Sequence, residues 1–402
     1  MPYDFSSIID RHGMDALAVE AVGGHWGFEP LPPKDGFDFI PMWVADMNFA
    51  TCPSITDAIR ARLDHPLFGY YKARPEYFER IVEWQSERHG HTGLAPEHIG
   101  YENGVHGCVT SAVKLLSQPG DKILLHRPTY VGFRNDVEGL GRTSVYSDLV
   151  KDEAGVWRMD YEDMAEKLER EHIRLAIFCS PHNPSGRVWE RWEIERAMEV
   201  FEAHDCYVIS DEIWSDIVYP GHEHVPAQMA SDWAREHTIA AYSLSKTFNL
   251  AGLVGSYRII YGDALRDRYL SVSGRTNYNE QNVLSMHALL GAYTDEGRAW
   301  VGELLGVLER NCRVMADALR AHEGVDVMVP QGTYMLFADL SGYCERTGLT
   351  QKDILHTGWD VGVGWQDGEA FGGPDSVRIN VASPLPRIEE AIRRIDAHVL
   401  TR

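Results

Sequence analysis

Lys246 stands in a segment whose residue types could support covalent chemistry with a carbonyl compound. The segment reads Ser-Leu-Ser-Lys-Thr-Phe-Asn over residues 243–249 and follows an apolar, strand-like run at 238–242. A lysine at the end of a buried strand loses hydration, which leaves a nucleophilic amine. Such an amine can form a Schiff base with an aldehyde. Taken alone, Lys246 would be interpreted as a solvated surface charge.

Asp211 follows a second apolar run, about 35 residues upstream of the lysine, in the sequence Tyr-Val-Ile-Ser-Asp-Glu at 207–212. The run predicts a buried parallel strand, which puts the carboxylate at the carboxyl end of that strand. A carboxylate there can pair with a protonated ring nitrogen. Taken alone, Asp211 would be interpreted as a helix N-cap.

Asn183 lies between two prolines in the loop Ser-Pro-His-Asn-Pro-Ser-Gly at 180–186, directly after the apolar run 175–179. Its side-chain amide could hydrogen-bond a ring hydroxyl, whereas the motif alone predicts an ordinary turn. Asn183, Asp211 and Lys246 each follow a predicted strand. This shared position, in this order, favours one common site over three unrelated features.

The order Asn-Pro-x-Gly at 183–186, Asp-Glu at 211–212 and Ser-x-Ser-Lys at 243–246 resembles the fold-type I pyridoxal-phosphate enzymes, the aspartate aminotransferase superfamily. The resemblance covers nearly the whole chain. It implies an α/β fold, a three-layer sandwich with a mostly parallel central sheet, together with a smaller α+β domain. It also implies that pyridoxal 5′-phosphate is the cofactor and that Lys246 holds it.

Further positions match the same superfamily. Arg378, in Val-Arg-Ile-Asn at 377–380, matches the arginine that grips the substrate α-carboxylate. Tyr130 matches the aromatic residue stacked on the pyridine face, and Tyr70 matches a tyrosine that reaches the phosphate across a dimer interface. The backbone amides at 104–106 match the turn that cradles this phosphate. The resemblance thus implies a homodimer with shared active sites, cofactor contacts at Tyr70, Val105, His106, Tyr130, Asn183, Asp211, Trp214, Ser243, Ser245 and Lys246, and substrate contacts at Ala45, Asn183 and Arg378.

Two positions depart from the aminotransferase pattern. Typical aminotransferases carry an arginine eight residues after the lysine, where it pairs with the phosphate, but this chain has Val254. They usually carry a tyrosine three residues after the aspartate, but this chain has Trp214, whose indole donates a hydrogen bond and cannot accept one. Both departures, the segments at 3–5 and 10–13, and the run at 42–49 are similar to the bacterial cystathionine β-lyase subgroup (MalY/PatB-type cysteine-S-conjugate β-lyases).

Resemblance to this subgroup implies α,β-elimination from cystathionine or a related cysteine S-conjugate, with release of a thiol, pyruvate and ammonia. Arg378 would fix the α-carboxylate, Lys246 would act as general base at Cα, and Asp211 would keep the ring nitrogen protonated. One alternative is a class I/II aminotransferase. A further alternative is a cofactor-containing regulatory or partner-binding protein, because some members of the superfamily serve that role.

The composition limits which binding partners and which cellular location are expected for this protein. The net charge of −22, from 38 basic and 60 acidic residues, argues against a nucleic-acid-binding surface. Six cysteines without a Cys-x-x-Cys pair predict free thiols in a reducing, cytoplasmic compartment. The chain shows neither a secretory leader nor an apolar run near about 18 residues, so no membrane insertion is expected. We interpret His-Gly-His at 89–91 and His-Glu-His at 222–224 as surface loops, not as metal sites.

The coarse pattern of the whole chain is α/β. Helices are predicted at 53–63, 76–88, 105–116, 190–204 and 298–321 and from 386 onward, and strands at 122–126, 175–179, 207–210, 239–243, 256–261, 334–339 and 376–381. The strand at 256–261 would be the antiparallel member of the sheet if the superfamily topology holds. This organisation predicts a large cofactor domain at 49–290 and a small domain built from both chain ends, 1–48 and 291–402.

Overall fold

The computed structural model describes residues 3–24, 28–276 and 280–401. Residue contacts divide the chain into two compact units. The larger unit comprises Thr51–His182 and Arg187–Gly302, and the smaller unit comprises Met1–Ala50, Asn183–Gly186 and Glu303–Arg402. The domain boundaries expected from the sequence, with a cofactor domain at 49–290, stay a prediction.

Helices and strands alternate along most of the chain and are numbered here in chain order. The strands are β1 Ile40–Pro41, β2 Ile99–Asn103, β3 Lys122–Arg127, β4 Thr143–Asp148, β5 Val150–Lys151, β6 Trp157–Arg158, β7 Leu175–Cys179, β8 Tyr207–Asp211, β9 Thr238–Ser243, β10 Gly255–Ile259, β11 Asp326–Val327, β12 Met335–Asp339, β13 Val363–Gly364, β14 Gln366–Asp367 and β15 Ser376–Asn380. The helices are α1 Leu17–Glu20, α2 Pro53–Leu63, α3 Pro75–His89, α4 Gly104–Leu116, α5 Val131–Gly139, α6 Tyr161–Arg170, α7 Arg191–Ala203, α8 Asp232–His237, α9 Leu244–Thr247, α10 Asp263–Thr276, α11 Val283–Ala292, α12 Asp295–Arg320, α13 Ser341–Thr347, α14 Gln351–Asp360 and α15 Leu385–Arg394.

In the described part of the larger unit, seven strands form one sheet in the order β2-β10-β9-β8-β7-β3-β4. Strand β10 pairs antiparallel with both of its neighbours, whereas the other neighbouring strands pair in parallel. The prediction of an antiparallel strand at 256–261 is therefore confirmed. Because β7, β8 and β9 run in the same direction, their carboxyl ends lie at one edge of the sheet, and Asp211 is the last residue of β8.

Side chains of this sheet alternate between two apolar clusters. Ile123 and Leu125 pack with side chains of α4 in one cluster, whereas Leu124 packs with side chains of α6 and α7 in the other. Successive residues of a strand point to opposite faces, so helices cover the sheet on both sides. This is the three-layer α/β sandwich with a mostly parallel central sheet that the resemblance implied.

The described part of the smaller unit contains an antiparallel sheet in the order β11-β12-β15-β14 and a separate parallel pair, β1 with β13. Strands β12 and β15 correspond to the strands predicted at 334–339 and 376–381. Arg378 lies at the centre of β15, where its register partners are Phe337 of β12 and Gln366 of β14. The arginine is thereby held by paired strands on both sides.

One interpretation from the sequence was wrong in part. His222 and Glu223 are exposed, as expected for a surface loop, but His89, His91 and His224 are buried, with exposed fractions of 7, 3 and 5%. Each of the three buried imidazoles is hydrogen-bonded to a buried side chain, and the bonds of His89 and His91 join residues 127 and 151 apart in the sequence. In the described ranges, no group of three or more His, Cys, Asp or Glu side chains is arranged to hold a metal ion. The helices in these ranges are all too short or too polar to cross a membrane.

Candidate active site

Lys246 is the third residue of the four-residue helix α9, which begins directly after β9. Ser243 ends the strand and caps this helix, since its Oγ accepts a hydrogen bond of 3.1 Å from the Ser245 amide. The Ser243 hydroxyl also donates to the Gly255 carbonyl at 2.7 Å and lies 2.8 Å from Ser245 Oγ. A side-chain cap satisfies an amide that a helix start leaves without an intrahelical partner. The Ser-x-Ser pattern therefore fixes the start of the turn that carries Lys246.

Trp214 lies beside the lysine amine. Lys246 Nζ is 5.7 Å from the centroid of the Trp214 ring, within the range of a cation–π interaction. The indole is 1% exposed, and it follows Asp211 by three residues. The structure thus brings the tryptophan that distinguishes this chain from typical aminotransferases next to Lys246.

Asp211 is a buried carboxylate, with 5% of its surface exposed. Its Oδ1 accepts a hydrogen bond of 3.0 Å from the Ile213 amide. Burial raises the pKa of Asp211 to about 6, while the Ile213 amide and the charges of His106 and Lys246 act in the opposite direction. Because a desolvated carboxylate gains strongly from a neighbouring cation, Asp211 is suited to pair with a protonated ring nitrogen.

His106, in the first turn of α4, bridges two other side chains. Its Nδ1 lies 2.6 Å from Asp136 Oδ2, and its Nε2 lies 3.1 Å from the Tyr130 hydroxyl. The hydrogen bond with Asp136 raises the pKa of His106, although burial opposes this effect. Gly132 leaves room for the pair, because a Cβ there would lie 2.2 Å from His106 Cε1. The sequence did not reveal Asp136, since α5 was not among the predicted helices.

The start of α4 has the geometry of an anion site. Gly104 has a φ of +73°, and its amide donates to the Val254 carbonyl at 3.1 Å. The amides of Val105 and His106 lie in the first turn, where no intrahelical acceptor is available, so they can bind a phosphate. Val254 itself has a φ of 56°, which a β-branched residue rarely adopts, and its side chain is half exposed.

In the smaller unit, three groups orient the buried guanidinium of Arg378. Its Nη1 donates to Asn183 Oδ1 at 3.2 Å, and its Nη2 donates to the Trp43 carbonyl at 2.8 Å. Nη2 also donates to Gln366 Oε1 at 2.6 Å, and the centroid of the Phe371 ring lies 4.3 Å from Cζ. These partners are neutral groups that orient the guanidinium, and a guanidinium held in this way suits a carboxylate ligand.

Ala45 takes part in the same unit through its backbone. Its carbonyl accepts a hydrogen bond of 3.0 Å from the Tyr334 hydroxyl, and Asn380 Nδ2 donates to the carbonyls on either side of Ala45 at 2.6 Å each. Arg378 and Asn380 lie on the same face of β15, because residues two apart in a strand point the same way. That spacing would have identified Asn380 from the sequence, yet it was missed.

Tyr70 belongs to the larger unit but stands apart from the other predicted residues. It lies between α2 and α3 with a fully exposed side chain, and the neighbouring Leu67 and Phe68 are 68 and 56% exposed. Among the contacts of the described residues, none joins Tyr70 to Lys246 or Asp211. The contact of Tyr70 with the phosphate of a second subunit, which the resemblance implies, stays a prediction.

The chain matches the family model of aminotransferase class I and II over residues 38–395. It belongs to this family. Cystathionine beta-lyase PatB of Bacillus subtilis is 33% identical over 364 residues, which covers 90% of this chain and 92% of PatB. Protein MalY of Escherichia coli is 31% identical over 397 residues, which covers 97% of each chain. The crystal structure of the PLP-bound C-S lyase from Staphylococcus hominis has a TM-score of 0.88 and 31% identity, and covers 100% of this chain and 98% of that one.

The alignments with these relatives and with the solved structure cover 90–100% of this chain. The family and subgroup that the motifs resembled are therefore confirmed. The resemblance arose from short motifs at strand ends, whereas the match spans 38–395, so it includes the strands and helices that position those motifs.

Proposed function

We propose that this protein is a pyridoxal 5′-phosphate-dependent C–S β-lyase. It cleaves cystathionine or a related cysteine S-conjugate by α,β-elimination to a thiol, pyruvate and ammonia. The proposal depends above all on Trp214, which stands at the position where typical aminotransferases have a tyrosine. The centroid of its ring lies 5.7 Å from the Lys246 amine. Relatives named for C–S cleavage align over nearly the whole chain, which supports the same reading.

The larger unit has a donor set that fits the cofactor. Asp211 provides a buried carboxylate for the ring nitrogen, the first-turn amides of α4 suit the phosphate, and Lys246 provides an amine for the aldehyde. When bound, pyridoxal 5′-phosphate supplies an aldehyde that captures the substrate amine and a ring that withdraws electrons from Cα. Tyr130 would cover one face of this ring.

The remaining roles belong to side chains of this chain. Arg378 binds the substrate α-carboxylate by a charge-assisted pair, and Asn183 supports both Arg378 and the ring hydroxyl. The Lys246 amine removes the proton from the substrate Cα as general base. The Cβ–S bond then breaks and its electron pair leaves with the sulfur as a thiolate. Asp211 keeps the ring nitrogen protonated throughout.

We also propose a homodimer in which Tyr70 donates its hydroxyl to the phosphate of the partner subunit's site. The support is the exposed segment that carries it, since Leu67, Phe68 and Tyr70 together present apolar and aromatic surface to solvent. A hydroxyl donor from a second subunit would offset the missing arginine at Val254. None of the six cysteines, all of which lie in the described ranges, forms a disulfide, which supports a reducing, cytoplasmic location.

The decisive experiment measures pyruvate release from cystathionine and S-alkyl cysteines beside amino transfer to 2-oxoglutarate. We expect elimination to be the faster reaction, and we expect Trp214→Tyr to raise amino transfer relative to elimination. Amino transfer that outpaced pyruvate release in the unmodified protein would instead establish an aminotransferase. A yellow, cofactor-loaded protein that turned over none of these amino acids would favour a regulatory role.

A further inference from the structure

A buried carboxylate outside the site just described, that of Asp216, is surrounded by donors from the end of α3. Its Oδ1 accepts hydrogen bonds from Trp84 Nε1 and His89 Nε2, each at 3.0 Å, and lies 2.7 Å from Arg88 Nε. Burial alone would raise the pKa of Asp216, but the His89 hydrogen bond and the Arg88 charge outweigh it and hold this pKa well below its usual range. Asp216 is therefore an ionised carboxylate fixed to a 15-residue helix.

The second oxygen of Asp216 binds Thr247. Thr247 Oγ1 donates to Asp216 Oδ2 at 3.0 Å, and the two side chains are 0 and 6% exposed. Thr247 directly follows Lys246 and is the last residue of α9. A hydrogen bond to a carboxylate is stronger than one between neutral groups, and a threonine side chain has few rotamers. The bond therefore restrains the backbone on one side of Lys246.

A second buried bond restrains the other side of the same segment. The Tyr242 hydroxyl donates to Glu212 Oε2 at 2.5 Å, and His224 Nε2 lies 2.9 Å from the same oxygen. Glu212 follows Asp211, and Tyr242 lies four residues before Lys246. Glu212 and Asp216, which both follow β8, therefore bind the segment that carries Lys246 at two points. Glu212 binds Tyr242 before the lysine, and Asp216 binds Thr247 after it.

We propose that Asp216 is a positioning residue for Lys246, acting through the Thr247 hydroxyl to set the orientation of α9 and so the direction of the lysine amine. This inference rests on the proposed role of Lys246 as the base. Because α3 fixes Asp216, the orientation of the amine is set by a long helix and not by the turn alone. Misdirecting a catalytic group lowers the rate of the chemical step, whereas carboxylate binding is assigned to Arg378.

Two substitutions of Thr247 distinguish the effect of its hydroxyl group from the effect of its side-chain shape. Thr247→Val keeps the volume and removes the donor, and Thr247→Ser keeps the donor. We expect Thr247→Val to lower kcat about ten- to a hundredfold with little change in KM, and Thr247→Ser to stay within about threefold of the unmodified protein. Thr238→Val is the matched control, because Thr238 is a fully buried threonine of β9 whose Oγ1 makes no hydrogen bond in the described structure.

A second readout does not depend on turnover. The visible absorbance of the cofactor-loaded protein, followed against pH, reports protonation at the Lys246 nitrogen. We expect its midpoint to move in Thr247→Val and to stay in place in Thr247→Ser and Thr238→Val. Equal kcat and equal midpoints for Thr247→Val and the unmodified protein would overturn the proposal, as would a serine variant as impaired as the valine variant.

Asp216→Ala provides the test from the other side of the bond. It removes both carboxylate oxygens and leaves the buried donors of Trp84, His89 and Thr247 without this acceptor, so we expect a lower melting temperature. Adding Thr247→Val to it should lower kcat no further, because both substitutions break one link; a fully additive loss would contradict the proposal. If the unmodified protein released no pyruvate, the proposed function would fail, and the absorbance midpoints would still test the positioning role separately.

Discussion

Gln366 and Arg378 face each other across the antiparallel strands β14 and β15, where Gln366 Oε1 accepts a hydrogen bond of 2.6 Å from Arg378 Nη2. Both side chains are buried, with exposed fractions of 6 and 4%. An amide orients the guanidinium and carries no net charge itself. A glutamate at the same place would form an ion pair with Arg378 and compete with a substrate carboxylate.

Gln366→Glu should therefore raise KM more than it lowers kcat. A charge-assisted contact contributes about 1.5–3 kcal/mol, so we expect KM for the amino-acid substrate to rise roughly ten- to a hundredfold. Steady-state kinetics check this. Gln351→Glu is the control, because Gln351 is equally buried in the same unit and donates to Asp367 and the Ser376 carbonyl. It should lose stability without the rise in KM, and an equal rise in both variants would contradict the role of Gln366.

Lys246→Ala should lower the rate of pyruvate release by several orders of magnitude, because it removes both the general base and the amine that holds the cofactor. The melting temperature of the cofactor-free protein should change little, since the lysine is at a half-buried turn. Lys352→Ala, at a side chain that is 64% exposed, serves as the control. Near-native lyase rates in Lys246→Ala would show that the site is elsewhere.

Tyr70→Phe should weaken cofactor binding about ten- to a hundredfold, the expected effect of losing one hydrogen bond to a charged phosphate, and leave the fold intact. Equilibrium dialysis of the cofactor measures this. Tyr71→Phe is the control, because the Tyr71 hydroxyl donates to the Gln281 carbonyl of its own chain at 2.6 Å. It should leave cofactor affinity unchanged.

The same residue allows a test of shared active sites. Tyr70→Phe and Lys246→Ala subunits, at cofactor concentrations where each is inactive, are mixed and allowed to exchange. A heterodimer should regain one working site of two, because one site then has both native residues. Verified subunit exchange without recovered activity would contradict the proposal that the two subunits share their active sites.

Asp211→Asn should stabilise the cofactor-free protein at neutral pH. The folded protein holds the Asp211 proton up to a pKa of about 6, against an ordinary value of 3.8, so its relative stability falls as pH rises through this window and stays lower above it. At about 1.36 kcal/mol per pKa unit, the difference reaches roughly 3 kcal/mol. The free energies of urea unfolding of the two proteins should agree below about pH 4, diverge between about pH 4 and 6, and differ by a constant amount above about pH 6. A difference independent of pH over this whole range would refute the burial argument.

Strands buried on both faces were predicted well from the sequence. The runs at 175–179 and 207–210 are the observed β7 and β8, because a strand covered on both sides must be a continuous apolar run. Strand β2 was missed. It carries Glu102, which is fully buried and paired with Arg258 of the neighbouring β10. Glu102 interrupts the apolar pattern that predicts a buried strand. Its burial is stabilised by Arg258, which is 156 residues away in the sequence.

The residues at the ends of these strands, Asn183, Asp211 and Lys246, could be identified from the sequence alone. Motif order and local pattern suffice for that, since both depend on residues close together in the chain. The buried partners of neighbouring site residues could not be identified in this way: Asp136 contacts His106, 30 residues away, and Asp216 contacts Thr247, 31 residues away. Hydrogen-bond partners and burial depend on distances between residues remote in sequence, and these in turn shift the pKa values of Asp211 and His106.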